Sequence, residues 1–271
     1  MTRIRKAVIP AAGLGTRFYP LTRSQPKELL PIVDKPVIQY VVEEVVASGI
    51  NEILIITGRG KEALTAYFED HPLDGERGAS FGIDSLPPIN FVNQRQQKGL
   101  ADAVRYAKNF VGDEPFALVL GDTIYTSKTD VPVTAQLLAA YERLNSPVIA
   151  VERVQHEKIS DYGIIDGKEI EKGIWKIDAL IEKPEPQNAP SDLGITGTYV
   201  LASDIFEMIN KIQPGKNGEY QLTDALALLQ KERPMYGVEF EGTRYDIGTK
   251  ELWIKAFAEF TRKDVRFSNL I

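Results

Sequence analysis

Lys6-Ala7-Val8-Ile9-Pro10-Ala11-Ala12-Gly13-Leu14-Gly15-Thr16-Arg17 is the stretch on which the reading of the fold turns. It opens as a short apolar strand and runs into a Gly-rich turn that closes on a cation. Glycine lets the backbone take positive φ and lets a ligand approach the main chain. Successive free N–H groups in such a turn can cradle an anion.

Outward from this stretch, strands and helices alternate. Residues 36–48 read as a helix, with Val37, Val41 and Val45 on one stripe and Gly49 at the stop position. Ile53 to Thr57 is a continuous apolar run, as for a strand covered on both faces. Glu62 to Phe68 reads as a short helix and Ile89 to Val92 as a strand. Gly99 to Phe110 reads as one helix with Leu100, Ala103, Val104 and Ala107 on a face. Phe116 to Leu120 is another buried strand, ending in Gly121-Asp122. This order predicts a doubly wound, mostly parallel α/β sheet.

The second half is more mixed. Strands are expected at 148–151, 177–182, 197–201 and 238–240, and helices at 135–144, 203–211 and 222–231. A last helix over about 250–262 carries Trp253, Ala256, Phe257 and Phe260 on one side, expected to pack on the core, with a subunit interface as the second reading. The longest loop is expected at about 70–88. With no repeat and no linker, residues 1–271 are read as one domain.

The 271 residues include 43% hydrophobic and 26% charged positions, ordinary for a globular protein. No apolar run approaches the roughly 18 residues that span a bilayer, and no secretory leader is expected at the basic start; a cytoplasmic protein is expected. The net charge of −6 and the pI near 5.2 are poorly suited to covering nucleic acid, while a few placed cations can still hold a small phosphorylated ligand. Without cysteine, thiolate chemistry and disulfides are excluded. His71 and His156 are expected on surface loops, and two histidines are too few for a histidine metal cluster.

Two familiar phosphate motifs fail. The dinucleotide fingerprint needs a third glycine where Phe18 stands, and an acid where the second strand instead runs into Gly58-Arg59-Gly60-Lys61. A P-loop needs a glycine where Ile55 stands, and Glu62 follows the Gly-Lys pair. What remains is a nest at Gly13 and Gly15, with Arg17 and then Lys27 in Pro26-Lys27-Glu28-Leu29-Leu30-Pro31. Two cations beside a nest suit a triphosphate; a plain turn with surface cations fits the same residues. Asp122, after a buried strand, and Asp246, in Tyr245-Asp246-Ile247-Gly248, suit Mg²⁺, which takes one or two carboxylates plus substrate phosphates. Each also reads as a turn or cap residue. Lys183 ends a strand in Glu182-Lys183-Pro184, where its charge faces the crevice or simply water.

Together these residues resemble the sugar-1-phosphate nucleotidyltransferases, nearest the bacterial and archaeal uridylyltransferases acting on UTP and glucose 1-phosphate. The resemblance is carried by Gly13 to Arg17, Pro26 to Pro31, Thr57 to Lys61, Gln94 to Leu100, Leu120 to Asp122, Tyr162-Gly163, Glu182 to Pro184, Gly218 to Asp224 and Tyr245 to Gly248. It implies a three-layer α/β/α sandwich with a mixed, mostly parallel Rossmann-like sheet. It implies that the backbone at Ala11, Ala12 and Gly13, with Gln94 and Gly99, holds uracil and ribose. Arg17 and Lys27 grip the triphosphate, with Glu28 close by. Asp122 and Asp246 hold Mg²⁺, and Gly163, Glu182 and Lys183 hold the sugar phosphate. It implies a homo-oligomer, dimer or tetramer, with no nucleic acid and no membrane among its partners. No acetyltransferase activity is expected. The segment Gln94-Arg95-Gln96-Gln97-Lys98-Gly99 departs from the bacterial pattern, and the loop at 70–88 is shorter. Alternative readings are thymidylyl transfer to glucose 1-phosphate, uridylyl transfer to N-acetylglucosamine 1-phosphate, or a non-catalytic nucleotide-sugar-binding module. A glycosyltransferase is disfavoured because Thr123-Ile124, not x-Asp, follows Asp122.

Overall fold

A computed structural model describes residues 3–69, 86–215 and 218–270. Its strands are β1 (Lys6–Pro10), β2 (Pro31–Ile32), β3 (Lys35–Pro36), β4 (Glu52–Gly58), β5 (Ile89–Gln94), β6 (Phe116–Val119), β7 (Thr123–Ser127), β8 (Val148–Arg153), β9 (Gly163–Glu171), β10 (Ile174–Glu182), β11 (Leu193–Leu201), β12 (Tyr236–Glu239) and β13 (Gly242–Asp246). Its helices are α1 (Val37–Ala47), α2 (Glu62–Phe68), α3 (Leu100–Arg105), α4 (Lys108–Val111), α5 (Val133–Leu144), α6 (Ile205–Lys211), α7 (Leu222–Glu232) and α8 (Lys250–Lys263). His156 is exposed, as expected. His71, and residues 70–85 of the loop expected at about 70–88, lie outside the described residues. Among the described residues, no helix is long and apolar enough to cross a membrane.

Nine strands form one sheet in the order β5-β4-β1-β6-β11-β8-β12-β10-β9. The central strand β1 is apolar because both of its faces are covered. Val8 packs with Val104, Ile209 and Leu226 on one side. Ala7 and Ile9 pack with Val41, Val45 and Leu137 on the other. Alternation along the strand thus sends successive side chains to helices on opposite faces. α1 stops as its sequence requires. Gly49 takes φ 86, its N–H donates to Val46 and the Ile50 N–H donates to Val45, closing a Schellman cap.

Two expectations are corrected. The sheet is parallel through β5-β4-β1-β6, but β11 runs antiparallel to β6 and β8, and β10 antiparallel to β12 and β9. With β8 and β12 also parallel, the sheet is mixed, as the resemblance implies, but parallel pairings are not the majority. For β9 and β10 the reason is local: they are neighbours joined by a turn at Gly173 (φ 73), and a hairpin pairs antiparallel. β9 was hidden because only its first three residues are buried, leaving no apolar alternation along 168–171. The expected helix over 99–110 is broken into α3 and α4. Tyr106 and Ala107 donate three residues back, to Ala103 and Val104, which tightens the turn between them.

β7 and β13, also absent from the sequence reading, pair antiparallel with each other in a separate ladder. Their Ile124 and Tyr245 join Phe18, Ile32 and Ala256 in a third apolar cluster, against which Trp253, Phe257 and Phe260 of α8 pack. The aromatic stripe is therefore core packing, as first read.

Candidate active site

The Gly-rich turn leaves β1 over the end of β4. The Ala11 N–H donates to the Ile56 carbonyl at 2.8 Å, and the Ala11 carbonyl accepts from Lys61 Nζ. The Ala11 main chain, expected against the nucleotide, makes both of these bonds inside the protein, and the residue is 2% exposed. Gly13 has open space around it, and Gly15 takes φ 64. That left-handed turn leads into a single 3-10 turn, which buries Phe18 and leaves Arg17 exposed. Arg17 has no hydrogen-bond or ion-pair partner among the described residues.

A second 3-10 turn at Lys27–Leu29 aims Lys27 and Glu28 inward. Glu28 is 2% exposed and accepts from Lys61 Nζ at 2.7 Å. Burial pushes the Glu28 carboxyl up and the Lys61 ammonium down, each against the pull of the other. Lys27 Nζ pairs with Asp122 Oδ2. Burial opposes the Lys27 charge, but Asp122, Glu28 and Asp246 together hold its ammonium above the ordinary lysine value.

The separate ladder brings the two aspartates together. Asp246 pairs in register with Thr123, and the Ile247 N–H donates to the Asp122 carbonyl at 2.9 Å. Burial favours the neutral acid at Asp122, yet Lys27 and a backbone donor hold it below the ordinary range. Asp246 is held above that range by burial and by the Asp122 charge, against Arg244. Among the described residues no group of three or more histidine, cysteine or acidic side chains gathers for a metal. Two carboxylates brought to neighbouring strand ends fit Mg²⁺ that completes its shell with phosphates and water.

At the far side, Glu182 ends β10 opposite Gly163. A Cβ on Gly163 would come within 3.0 Å of Thr223 Oγ1 and 3.2 Å of Glu182 Oε2, so glycine keeps this contact open. Thr223 Oγ1 donates to Glu182 Oε2 at 2.6 Å. Lys183 takes φ 43, a left-handed backbone that a non-glycine residue adopts only when its surroundings impose it. Its N–H donates to the Tyr162 carbonyl at 3.0 Å.

These side chains surround connected cavities. One of about 430 Å³ is lined by Ala12, Gly13, Gly15, Gln94 and Gly99, together with Lys27, Glu28 and Asp122. Another of about 290 Å³ is lined by Arg17, Gly163, Glu182, Lys183 and Asp246, again with Lys27 and Asp122. Every residue expected at the site, Ala11 apart, lines one or both. Three residues were missed. Lys61 ties Glu28 to the Gly-rich turn; its sequence signal was the basic end of the second strand. Thr223 orients Glu182 from within the Gly218 to Asp224 motif. Arg244, its side chain 8% exposed, reaches Glu152, Asp246 Oδ2 at 3.4 Å and the Tyr162 hydroxyl at 2.7 Å. It stands two residues before Asp246, and positions i and i+2 of a strand share a face.

A Gly-turned α/β sheet that gathers lysines and paired aspartates at its rim has the makings of a phosphate-handling transferase. Residues 6–263 match the nucleotidyl transferase family, and the chain belongs to it. The UTP–glucose-1-phosphate uridylyltransferase 2 of Streptococcus pyogenes serotype M3 is 45% identical over 276 residues, covering 97% of this chain and 92% of that protein. A UDP-glucose pyrophosphorylase complexed with UDP-glucose superposes with a TM-score of 0.91 at 40% identity, over 96% of this chain and 100% of the other. The UTP-bound enzyme of Acinetobacter baumannii superposes with a TM-score of 0.88 at 31% identity, over 97% and 95% respectively.

Proposed function

We propose that this protein transfers UMP from UTP to glucose 1-phosphate, releasing pyrophosphate and forming UDP-glucose, with Mg²⁺ held by Asp122 and Asp246. The observation that carries this reading is that two cavities meet at one Lys27–Asp122 pair. Two phosphorylated reactants seated in them would meet there.

In this reading the Gly-rich turn, Gln94 and Gly99 seat the nucleoside, and Arg17 and Lys27 face the triphosphate. Gly163, Glu182 and Lys183 seat the sugar phosphate. A phosphate oxygen of glucose 1-phosphate attacks the α-phosphorus of UTP in line; the bond to the β-phosphate bridging oxygen breaks and pyrophosphate leaves. The attacking oxygen is already ionised at neutral pH, so no side chain need accept a proton. A bound Mg²⁺ would supply charge neutralisation at the phosphates. The protein's own part is positioning and fixed positive charge. The same reading takes the chain as one cytoplasmic domain in a three-layer α/β/α arrangement, assembled as a homo-oligomer.

The test is pyrophosphate release across UTP, dTTP and CTP with glucose 1-phosphate or N-acetylglucosamine 1-phosphate, with and without Mg²⁺. The expected result is Mg²⁺-dependent release, fastest with UTP and glucose 1-phosphate; no release from any pair would sink the proposal. Lys183→Ala is expected to raise KM for glucose 1-phosphate and to lower kcat/KM by roughly 10²–10³, as for loss of one preorganised donor. Unchanged kinetics would remove Lys183 from the site.

A further inference from the structure

We infer that Gln97 is a second base-reading residue in the nucleotide cavity, and that Asp102 fixes the orientation of Gln94, so that the two glutamines select uracil over cytosine. This rests on the uridylyl reading above and adds two residues to it.

Gln94 is the last residue of β5 and is 2% exposed. Its Nε2 donates to Asp102 Oδ2 at 2.8 Å and to the Gly99 carbonyl at 3.4 Å. Neither a carboxylate nor a carbonyl can donate, so both hydrogens of this amide are committed and the carboxamide cannot flip. Only Oε1 is left for a ligand. Asp102 is itself held: its Oδ1 lies 3.5 Å from Arg105 Nη1, and Arg105 Nη2 donates to the Ile209 carbonyl of α6 at 3.2 Å. Gln94 is thereby a fixed acceptor.

Gln97 lines the same cavity. Its Nε2 is buried and has no hydrogen-bond partner among the described residues. The group lies 2.7 Å from where a Cβ on Gly58 would stand, so glycine at the end of β4 makes room for it. A buried amide donor without an acceptor is costly and uncommon. Held against Gly58, this amide gains the acceptor it lacks when a ligand carbonyl enters the cavity. One fixed acceptor and one waiting donor complement the imide edge of uracil, an N3–H beside a carbonyl. Cytosine presents a bare N3 beside an amino group, which sets acceptor against acceptor and donor against donor. Thymine shares the imide edge, so this pair does not separate UTP from dTTP.

The experiment measures pyrophosphate release from UTP, dTTP and CTP with glucose 1-phosphate and Mg²⁺, in the full chain and its Gln97→Ala, Gln97→Glu and Asp102→Asn variants. For Gln97→Ala, KM for UTP is expected to rise about tenfold with kcat nearly unchanged, KM for glucose 1-phosphate to stay put, and the UTP:CTP preference to shrink about tenfold. Gln97→Glu, which removes the donor and keeps the shape, is expected to lose at least as much. Asp102→Asn can donate to Gln94 and let it flip; it is expected to narrow the UTP:CTP ratio while the melting temperature stays close to that of the parent. A Gln97→Ala variant with the parental KM for UTP and the parental UTP:CTP ratio overturns the inference. A parent chain that releases pyrophosphate from no nucleotide overturns the uridylyl reading instead, before any variant is compared.

Discussion

Lys27→Met is expected to lose both stability and turnover. In the folded protein the Lys27 ammonium pairs with Asp122 and lies in the field of Glu28 and Asp246. Methionine fills similar space without the charge, leaving two aspartates facing each other with Arg244 and Lys61 as the remaining cations nearby. Removing one partner of a buried pair costs about 3–5 kcal/mol. The side chains of Lys27 and Asp122 are 17% and 23% exposed, so solvent trims that to about 2–4 kcal/mol. For a chain of this size the melting temperature should fall by about 5–10 °C, read by thermal denaturation of the ligand-free protein. The loss has a defined pH window. Lys27 holds the Asp122 carboxyl down, so the pair's contribution is present above the ordinary aspartate value and lost as pH falls through the lowered one. The difference between parent and variant should therefore narrow in acid. Turnover should drop roughly 10²–10³-fold, since a fixed cation at the meeting point of the reactants is gone. Mg²⁺ should raise the melting temperature of Lys27→Met more than that of the parent, the cation standing in for the ammonium. A variant that melts with the parent at neutral pH would show that the pair contributes nothing to the fold.

Asp246→Asn is expected to separate the two effects. Burial and the Asp122 charge hold the Asp246 carboxyl above the ordinary aspartate range, outweighing Arg244. A raised carboxyl favours the fold in its protonated form. That contribution is present below the unfolded-state value and disappears as pH rises through the raised one. Above the unfolded-state value the buried carboxyl therefore works against folding, and asparagine keeps its shape without its charge. The ligand-free variant should melt at or above the parent temperature at neutral pH, and the gap should close in acid. Turnover should still fall roughly 10²–10³-fold, because the charge that burdens the fold is the one that would hold the metal. A clear drop in melting temperature would mean that the Arg244–Asp246 contact outweighs the burial of its carboxylate. Parental turnover would remove Asp246 from the proposed metal site.

Much of this site was legible because strand ends punctuate the chain. β1, β4 and β6 are short apolar runs, and the parallel order that joins them leaves their carboxyl ends on one edge. Gly15, Lys27 and Asp122 could be placed there before any coordinates. Lys61 could not, because a lysine after a strand reads as solvated; only the fold brings its ammonium to the Ala11 carbonyl and to Glu28. Arg244 was passed over for a related reason: β13 is short, lies outside the main sheet and carries no apolar alternation to mark it.

By itself the sequence determined the alternating α/β order of the first half, the Gly-rich turn that is neither a dinucleotide fingerprint nor a P-loop, and the list of charged residues that could serve phosphates. Hydrophobic periodicity and glycine punctuation are local, and a single chain displays them. Only the tertiary structure decided that the second half pairs largely antiparallel, that the Ala11 amide bonds within the fold, and that the β7–β13 ladder sets Asp246 beside Asp122. Those outcomes depend on which distant segments pair and on which polar groups burial leaves without a partner, and neither is written in the spacing of residues along the chain.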